Sequence, residues 1–261
     1  MNGRTMRRGE ATVVDFWAPL RRSTQARIGL GHSGDGMPTG ERLALREALA
    51  LARDAIATPL DLPLLRDDLA AVGASEVYEV TSQASTRDEY VRRPDLGRLP
   101  ADLSGLPQGR FDVGIVLADG LSPRAVSDHG ALMVGALLAA LPSGLSMAPV
   151  VIATNARVAL GDHIGAALGV DTVFVLIGER PGLSVADSLG IYMTHRPEPG
   201  RADSERNCIS NVHPPDGNSY AAAAATASRL LGSARMLGRS GVDVKDTGAD
   251  IILGNTYHLM L

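Results

Sequence analysis

The sequence has few of the residues that several classes of site require. Its single cysteine, Cys208, cannot form an internal disulfide or a site built from several thiolates. Aromatic residues make up 3% of the chain and the formal net charge is −4, so we expect neither a base-stacking surface nor a basic surface for nucleic acid. No apolar run approaches the roughly 20 residues of a membrane-spanning helix, and the polar start at residues 1–4 lacks the apolar core of a signal peptide. These absences predict a cytoplasmic protein that binds neither nucleic acid nor membrane.

The chain also lacks a convincing catalytic or metal-binding set. Its six histidines are scattered, and none is paired at the three- or four-residue spacing of a helical metal site. Cys208 lies five residues before His213, which first suggests a nucleophile, but no base can be assigned to it, and inert buried cysteines are commoner. We therefore predict no protein-bound metal and no catalytic residue.

Regular secondary structure is predicted over most of the length. Apolar residues recur at three- and four-residue spacing over 41–57, which predicts a helix facing a core, whereas 78–107 lacks a long period and suggests a connection. Three short β-branched runs follow, each ending in turn residues and then a helical stretch. The predicted strands are 111–117, 149–153 and 172–177, with helices over 131–141, 163–168 and 185–189 and a last helix over 220–237.

Repeated strand, turn and helix units predict an α/β fold with a parallel sheet covered on both faces. We divide the chain into an N-terminal arm and helical region (1–107), an α/β domain (108–240) and an atypical tail (241–261). Ligands of open parallel sheets bind outside the carboxyl ends of the strands, which is where Asp119, Arg157 and Glu179 fall. Glu179 and Arg180 lie in a Gly-Glu-Arg-Pro-Gly loop, and they are either ligand contacts or a solvated turn pair. That loop lacks the spacing of a phosphate-binding or dinucleotide-binding motif.

Five segments, in this order, resemble the light chain of ethanolamine ammonia-lyase. They are LRRSTQAR at 20–27, RRPDLGR at 92–98, VLADGLS at 116–122, GERPGL at 178–183 and NCISNVH at 207–213. The resemblance covers roughly residues 15–240. It implies the small subunit of an adenosylcobalamin-dependent lyase that converts ethanolamine to acetaldehyde and ammonia, located in the cytoplasm either free or within a bacterial microcompartment.

In that family the large (heavy) subunit carries the substrate site, and the cofactor lies between the two subunits. The resemblance therefore implies a Rossmann-like, cobalamin-contacting α/β domain with a small helical N-terminal region. Carried over by motif, the corrin contacts are Val158, Glu179 and Cys208. Because the cofactor carries the radical chemistry, such a subunit needs to bind and orient it and needs no acid or base groups.

Two alternatives use the same pattern differently. The chain could be a noncatalytic α/β assembly protein, whose strand ends bind only a partner chain, or a stand-alone nucleotide-using α/β enzyme. The last stretch, 247–261, departs from the light-chain pattern and resembles a segment of tRNA-guanine transglycosylase, and we assign it no function.

Overall fold

The structure, a computed structural model, describes residues 15–246. Within it the chain divides between Ala48 and Leu49 into two compact units. This division falls inside helix α2 (Thr39–Ala57), which confirms the helix predicted over 41–57. Most of the predicted N-terminal arm, residues 1–14, and the transglycosylase-like segment, residues 247–261, lie outside the described residues.

The first unit contains the short helix α1 (Ala18–Arg21). The guanidinium of Arg21 donates to the carbonyl oxygens of Ile28 at 2.9 Å and Gly29 at 3.0 Å, and it pairs with Asp15. This side chain therefore ties the helix to the loop that follows it.

The second unit is built on one mixed sheet of six strands. They are β1 (Val77–Thr81), β2 (Phe111–Ala118), β3 (Val150–Thr154), β4 (Val170–Gly178), β5 (Leu189–His195) and β6 (Asn207–Val212). The strand order is β1-β3-β2-β4-β5-β6. Neighbours from β1 to β4 are parallel, whereas β5 runs antiparallel to β4 and β6 antiparallel to β5. The α/β class and the parallel centre are confirmed, and the reversal at β5 corrects the expectation of a wholly parallel sheet.

Helices cover the two faces of this sheet unequally. One face packs against α3 (Leu62–Ala71), α5 (Pro123–Ala140) and α7 (Tyr220–Leu237), and the other against α6 (Leu160–Leu168). α6 packs mainly on β2 and β4, so among residues 15–246 no helix packs extensively on this face of β5 and β6. The remaining helical elements are α4 (Arg87–Arg92) and two 3-10 turns at Leu96–Arg98 and Asp203–Glu205.

Sequence spacing explains why α6 packs as it does. Leu160, Ile164 and Leu168 are four residues apart and fully buried on one side of the helix. Burying each such side chain contributes about 1.5–3 kcal/mol. The helix ends at Gly169, whose φ of +75° is left-handed, and a Cβ there would lie 2.2 Å from the carbonyl oxygen of Gly109. The end of the helix is thereby fixed against the backbone of Gly109, just before β2.

Two predictions about secondary structure were wrong. The helix predicted over 185–189 does not exist, because alternate residues from Leu189 to Met193 face one core while Tyr192 packs on the opposite face, as in a strand. Residues 78–107 are not a simple connection either. They contain most of β1, which pairs with β3, as well as α4, so the sheet begins before residue 108.

The outer edge of β6 is partly covered by loops. The backbone amide of Asn218 donates to the Asn211 carbonyl at 2.7 Å, and its side-chain amide donates to the Ser210 carbonyl at 2.8 Å. At the other end of the strand, the Asn207 side chain accepts from the Gly241 amide at 2.8 Å and donates to the Gly241 carbonyl at 3.0 Å. The strand is therefore bonded to loops at both ends, through two backbone carbonyls at one end and through the Asn207 side chain at the other.

Among residues 15–246, no helix has the length and apolar character needed to span a membrane.

Candidate ligand-contact site at the carboxyl edge of the sheet

The carboxyl ends of β2, β3 and β4 meet at one edge of the sheet, and the residues predicted there follow those strands. Asp119 follows β2, Arg157 lies three residues after β3, and Glu179 follows β4. Their side chains nevertheless have different environments. Of the three, Glu179 lies at the turn between β4 and β5, beside the part of the sheet on which α6 packs least.

Asp119 has a structural role at this edge. Its buried carboxylate accepts the backbone amides of Asn155 at 2.8 Å and Ala156 at 2.9 Å, and it pairs with Arg87 at 3.2 Å. Burial raises the pKa of Asp119, although Arg87 and the two amides favour the charged form. Because these groups satisfy the carboxylate, Asp119 fixes the loop between β3 and α6 rather than facing a ligand.

Arg157 is likewise turned toward the protein. Its guanidinium lies 4.5 Å from the centre of the Tyr90 ring, and that of Arg87 lies 4.7 Å from the same ring. The Tyr90 hydroxyl donates to the Ala156 carbonyl at 3.0 Å. The loop that carries Val158 is thus held from two sides, and Val158 itself lies partly buried against the core on the α6 face.

Glu179 is held by the turn between β4 and β5. Its backbone amide donates to the Ser188 carbonyl at 2.9 Å, and its Oε2 accepts from the Ser188 hydroxyl at 2.5 Å and the Asn211 amide at 3.3 Å. Its other oxygen, Oε1, lies 2.9 Å from the position a Cβ would take at Gly190. The half-buried carboxylate therefore extends over β5, on the face that α6 leaves uncovered.

Tyr192 and Cys208 continue this surface. They are partners across β5 and β6, and Tyr192 belongs to the same face as α6 and Val158. Cys208 is exposed, yet loss of hydration raises the pKa of its thiol to about 12, and the charge of Glu179 acts in the same direction. Burial also raises the pKa of Tyr192, and Cys208 adds to that rise. Cys208 therefore lies at the surface, with Tyr192 and Glu179 close enough to affect its thiol.

The structure thus brings Glu179 and Cys208 together through Tyr192, a residue that sequence analysis did not single out. The alternation over Leu189–Thr194 could have found it, because it places Tyr192 opposite the core-facing residues. Val158 lies on the same face, beside the start of α6. We call Val158, Glu179, Tyr192 and Cys208 the edge site. The edge site offers one carboxylate oxygen and an amphipathic surface. Among residues 15–246 there is no cluster of three or more histidine, cysteine or acidic side chains suited to a metal ion.

Comparison with known proteins gives a consistent match along the chain. The family model of the ethanolamine ammonia-lyase light chain (EutC) matches residues 14–245. The ethanolamine ammonia-lyase small subunit of Rhodococcus erythropolis is 58% identical over 242 residues, which cover 93% of this chain and 94% of that protein. The small subunit of Rhodopseudomonas palustris (strain BisA53) is 47% identical over 233 residues, covering 87% and 88%. That of Ralstonia nicotianae is 44% identical over 246 residues, covering 90% of each chain.

Proposed function

The chain belongs to the ethanolamine ammonia-lyase light-chain family, and from this premise we propose that it is the cofactor-holding small subunit of a hetero-oligomeric lyase. Its partner is a large subunit that carries the substrate site, and together they convert ethanolamine to acetaldehyde and ammonia. The complex acts in the cytoplasm, free or inside a bacterial microcompartment. The chain itself contributes no catalytic group.

The cofactor that we propose is adenosylcobalamin, and the edge site fits it chemically. The rim of a corrin carries amide side chains whose N–H groups donate hydrogen bonds, and Glu179 offers a charged acceptor whose Oε1 makes no hydrogen bond within residues 15–246. Tyr192 and Cys208, which are partners across β5 and β6, lie beside that acceptor. When bound, adenosylcobalamin supplies the radical chemistry through its cobalt–carbon bond.

The observation that carries this proposal is the position of Glu179, Tyr192 and Cys208 on a part of the sheet that α6 leaves open. Val158 lies on the same face beside the first turn of α6, where it limits how far a flat ligand extends toward the parallel strands. Asp119 and Tyr90 contribute indirectly, because they hold the loop that presents Val158. This subunit therefore binds and orients the cofactor and keeps water from one side of it.

The experiment that tests the proposal is cobalamin binding by the complex co-expressed with a large subunit. We expect Glu179→Ala and Val158→Asp to weaken binding at least fivefold, measured by equilibrium dialysis with absorbance detection. The matched control is Glu76→Ala, which removes an exposed carboxylate just before β1 at the far edge of the sheet.

If both site variants bind cobalamin as tightly as the unchanged complex while the two subunits still co-purify, the edge site is not the cofactor contact. The light chain would then act as an assembly protein. Turnover of ethanolamine by the chain without a large subunit would overturn the division of roles between the two subunits.

A further inference from the structure

The two oxygens of the Glu179 carboxylate are used differently. Oε2 accepts two hydrogen bonds from the protein, one from the Ser188 hydroxyl at 2.5 Å and one from the Asn211 backbone amide at 3.3 Å. Oε1 has no hydrogen bond within the described residues, although the side chain is half-buried. An ionised carboxylate in such a position needs a donor from water or from a ligand.

Ser188 is itself firmly placed. Ser188 is 8% exposed, and its carbonyl accepts the Glu179 backbone amide at 2.9 Å. Ser188 and Glu179 are thus linked by a backbone hydrogen bond as well as by the side-chain hydrogen bond. The pair closes the hairpin directly beyond the last partners of β4 and β5, Gly178 and Leu189. The hydroxyl consequently approaches Glu179 from a rigid strand end.

Gly190 explains how Oε1 reaches the uncovered face. It lies two residues before Tyr192 on β5, so a Cβ there would point to the same face as the Tyr192 ring. That Cβ would lie 2.9 Å from Oε1 and 3.3 Å from Cγ of Glu179, which is too close. The absence of a side chain at residue 190 therefore leaves the space in which the free oxygen lies.

We propose that Ser188 is a positioning residue for cobalamin: it occupies Oε2 of Glu179 and so turns Oε1 over Gly190 as the single acceptor for an amide of the corrin rim. This inference rests on the proposed function, since it assumes that Glu179 contacts the cofactor. Ser188 acts only through Glu179 and does not touch the cofactor itself. Without the hydroxyl, the carboxylate rotates between several orientations, and the ordering cost is added to each binding event.

The test measures the dissociation constant of cyanocobalamin by equilibrium dialysis with the co-expressed complex, which needs no turnover. We expect Ser188→Ala to weaken binding about tenfold, in the range of one hydrogen bond to a charged group. Ser188→Thr keeps the hydroxyl and should restore affinity to within about twofold. In a Glu179→Ala background, Ser188→Ala should have no further effect, because the group through which it acts is gone.

Gly190→Ala provides a second route to the same conclusion if a change at Ser188 impairs folding. Its Cβ displaces Oε1, so it should weaken binding when Glu179 is present and leave it unchanged in the Glu179→Ala background. Melting temperatures of all variants are compared, since a purely structural role would lower stability without this dependence on Glu179.

The outcomes distinguish the positioning role of Ser188 from the cofactor contact of Glu179. If Glu179→Ala weakens binding but neither Ser188→Ala nor Gly190→Ala does, the positioning role is wrong while the cofactor contact stands. If the losses from Glu179→Ala and Ser188→Ala simply add, Ser188 acts independently and the inference fails. If Glu179→Ala has no effect, the contact itself is wrong and the positioning role falls with it.

Discussion

Replacing Arg206 by methionine tests the buried ion pair that joins α6 to the start of β6. The Arg206 and Asp162 side chains are 1% and 2% exposed, and the guanidinium also bonds Asp203 at 2.6 Å and the Arg201 carbonyl at 2.9 Å. Asp203 is half exposed and contributes little, so the main loss is the partner of a buried charge. Leaving such a charge unpaired costs about 3–5 kcal/mol. In a chain of this size, that lowers the melting temperature by roughly 6–20 °C.

The effect of this substitution should depend on pH. Burial raises the pKa of Asp162, while Arg206 opposes that rise. In the variant Arg206 no longer opposes this rise. Asp162 therefore holds its proton more tightly in the folded state than in the unfolded chain, where an aspartate has a pKa of about 3.9. The penalty is therefore small below about pH 4, grows as the pH rises, and levels off above the raised folded pKa.

Urea and thermal unfolding of the purified chain, followed by far-ultraviolet circular dichroism, would measure these changes. Arg239→Met is the matched control, because its ion pair with Asp243 at 3.1 Å is exposed and should be worth less than about 1 kcal/mol. Adding Asp162→Asn to the Arg206 variant removes the unpaired charge and should recover more than half of the lost stability. A loss below about 1 kcal/mol for Arg206→Met, or a double variant no more stable than the single one, would refute the reasoning.

Three further predictions concern the edge of the sheet. Gly178→Ala should prevent normal folding, because its Cβ would lie 2.0 Å from the Ser122 carbonyl oxygen. Circular dichroism and limited proteolysis would measure this, and Gly182→Ala, whose Cβ would have its nearest atom at 3.5 Å, should be tolerated. Cys208, although exposed, should have a thiolate fraction at pH 8 about three orders of magnitude below that of an ordinary thiol, and its reaction with iodoacetamide should be correspondingly slow. A rate that rises with pH toward about 12 would confirm the raised pKa, whereas a normal rate would contradict it. Tyr192→Ala should weaken cobalamin binding by the complex several-fold while Tyr192→Phe retains most of it, and equal losses would assign the effect to the hydroxyl instead of the ring.

The centre of the fold could be predicted from the sequence because its strands are buried on both faces. The apolar runs that form β2, β3 and β4 stand out in the sequence, and β2 and β3 are each followed by turn residues and a helix. The strands at the two edges gave weaker signals. β1 is short and half exposed, and β5 alternates between apolar residues and Gly190, Tyr192 and Thr194, a strand that was not predicted; the helix expected over 185–189 ends where β5 begins.

The candidate site was predictable only residue by residue. The rule that ligands bind at the carboxyl ends of parallel strands placed Glu179, Asp119 and Arg157 at the same edge. Only the fold shows that the Asp119 carboxylate accepts two backbone amides, whereas one oxygen of Glu179 is left without a hydrogen bond among the described residues. The contact between Glu179 and Ser188 depends on the antiparallel return of β5, which the expected helix would have removed.

The loops that bond both ends of β6 also bear on self-association. A strand at the edge of a sheet can pair with the same strand of another copy, and this is a common start of aggregation. Here the carbonyls of Ser210 and Asn211 already accept from Asn218, so a second copy meeting this edge would find these two groups occupied. The strand that carries Cys208 therefore has a shorter free edge for pairing with another copy than its length suggests.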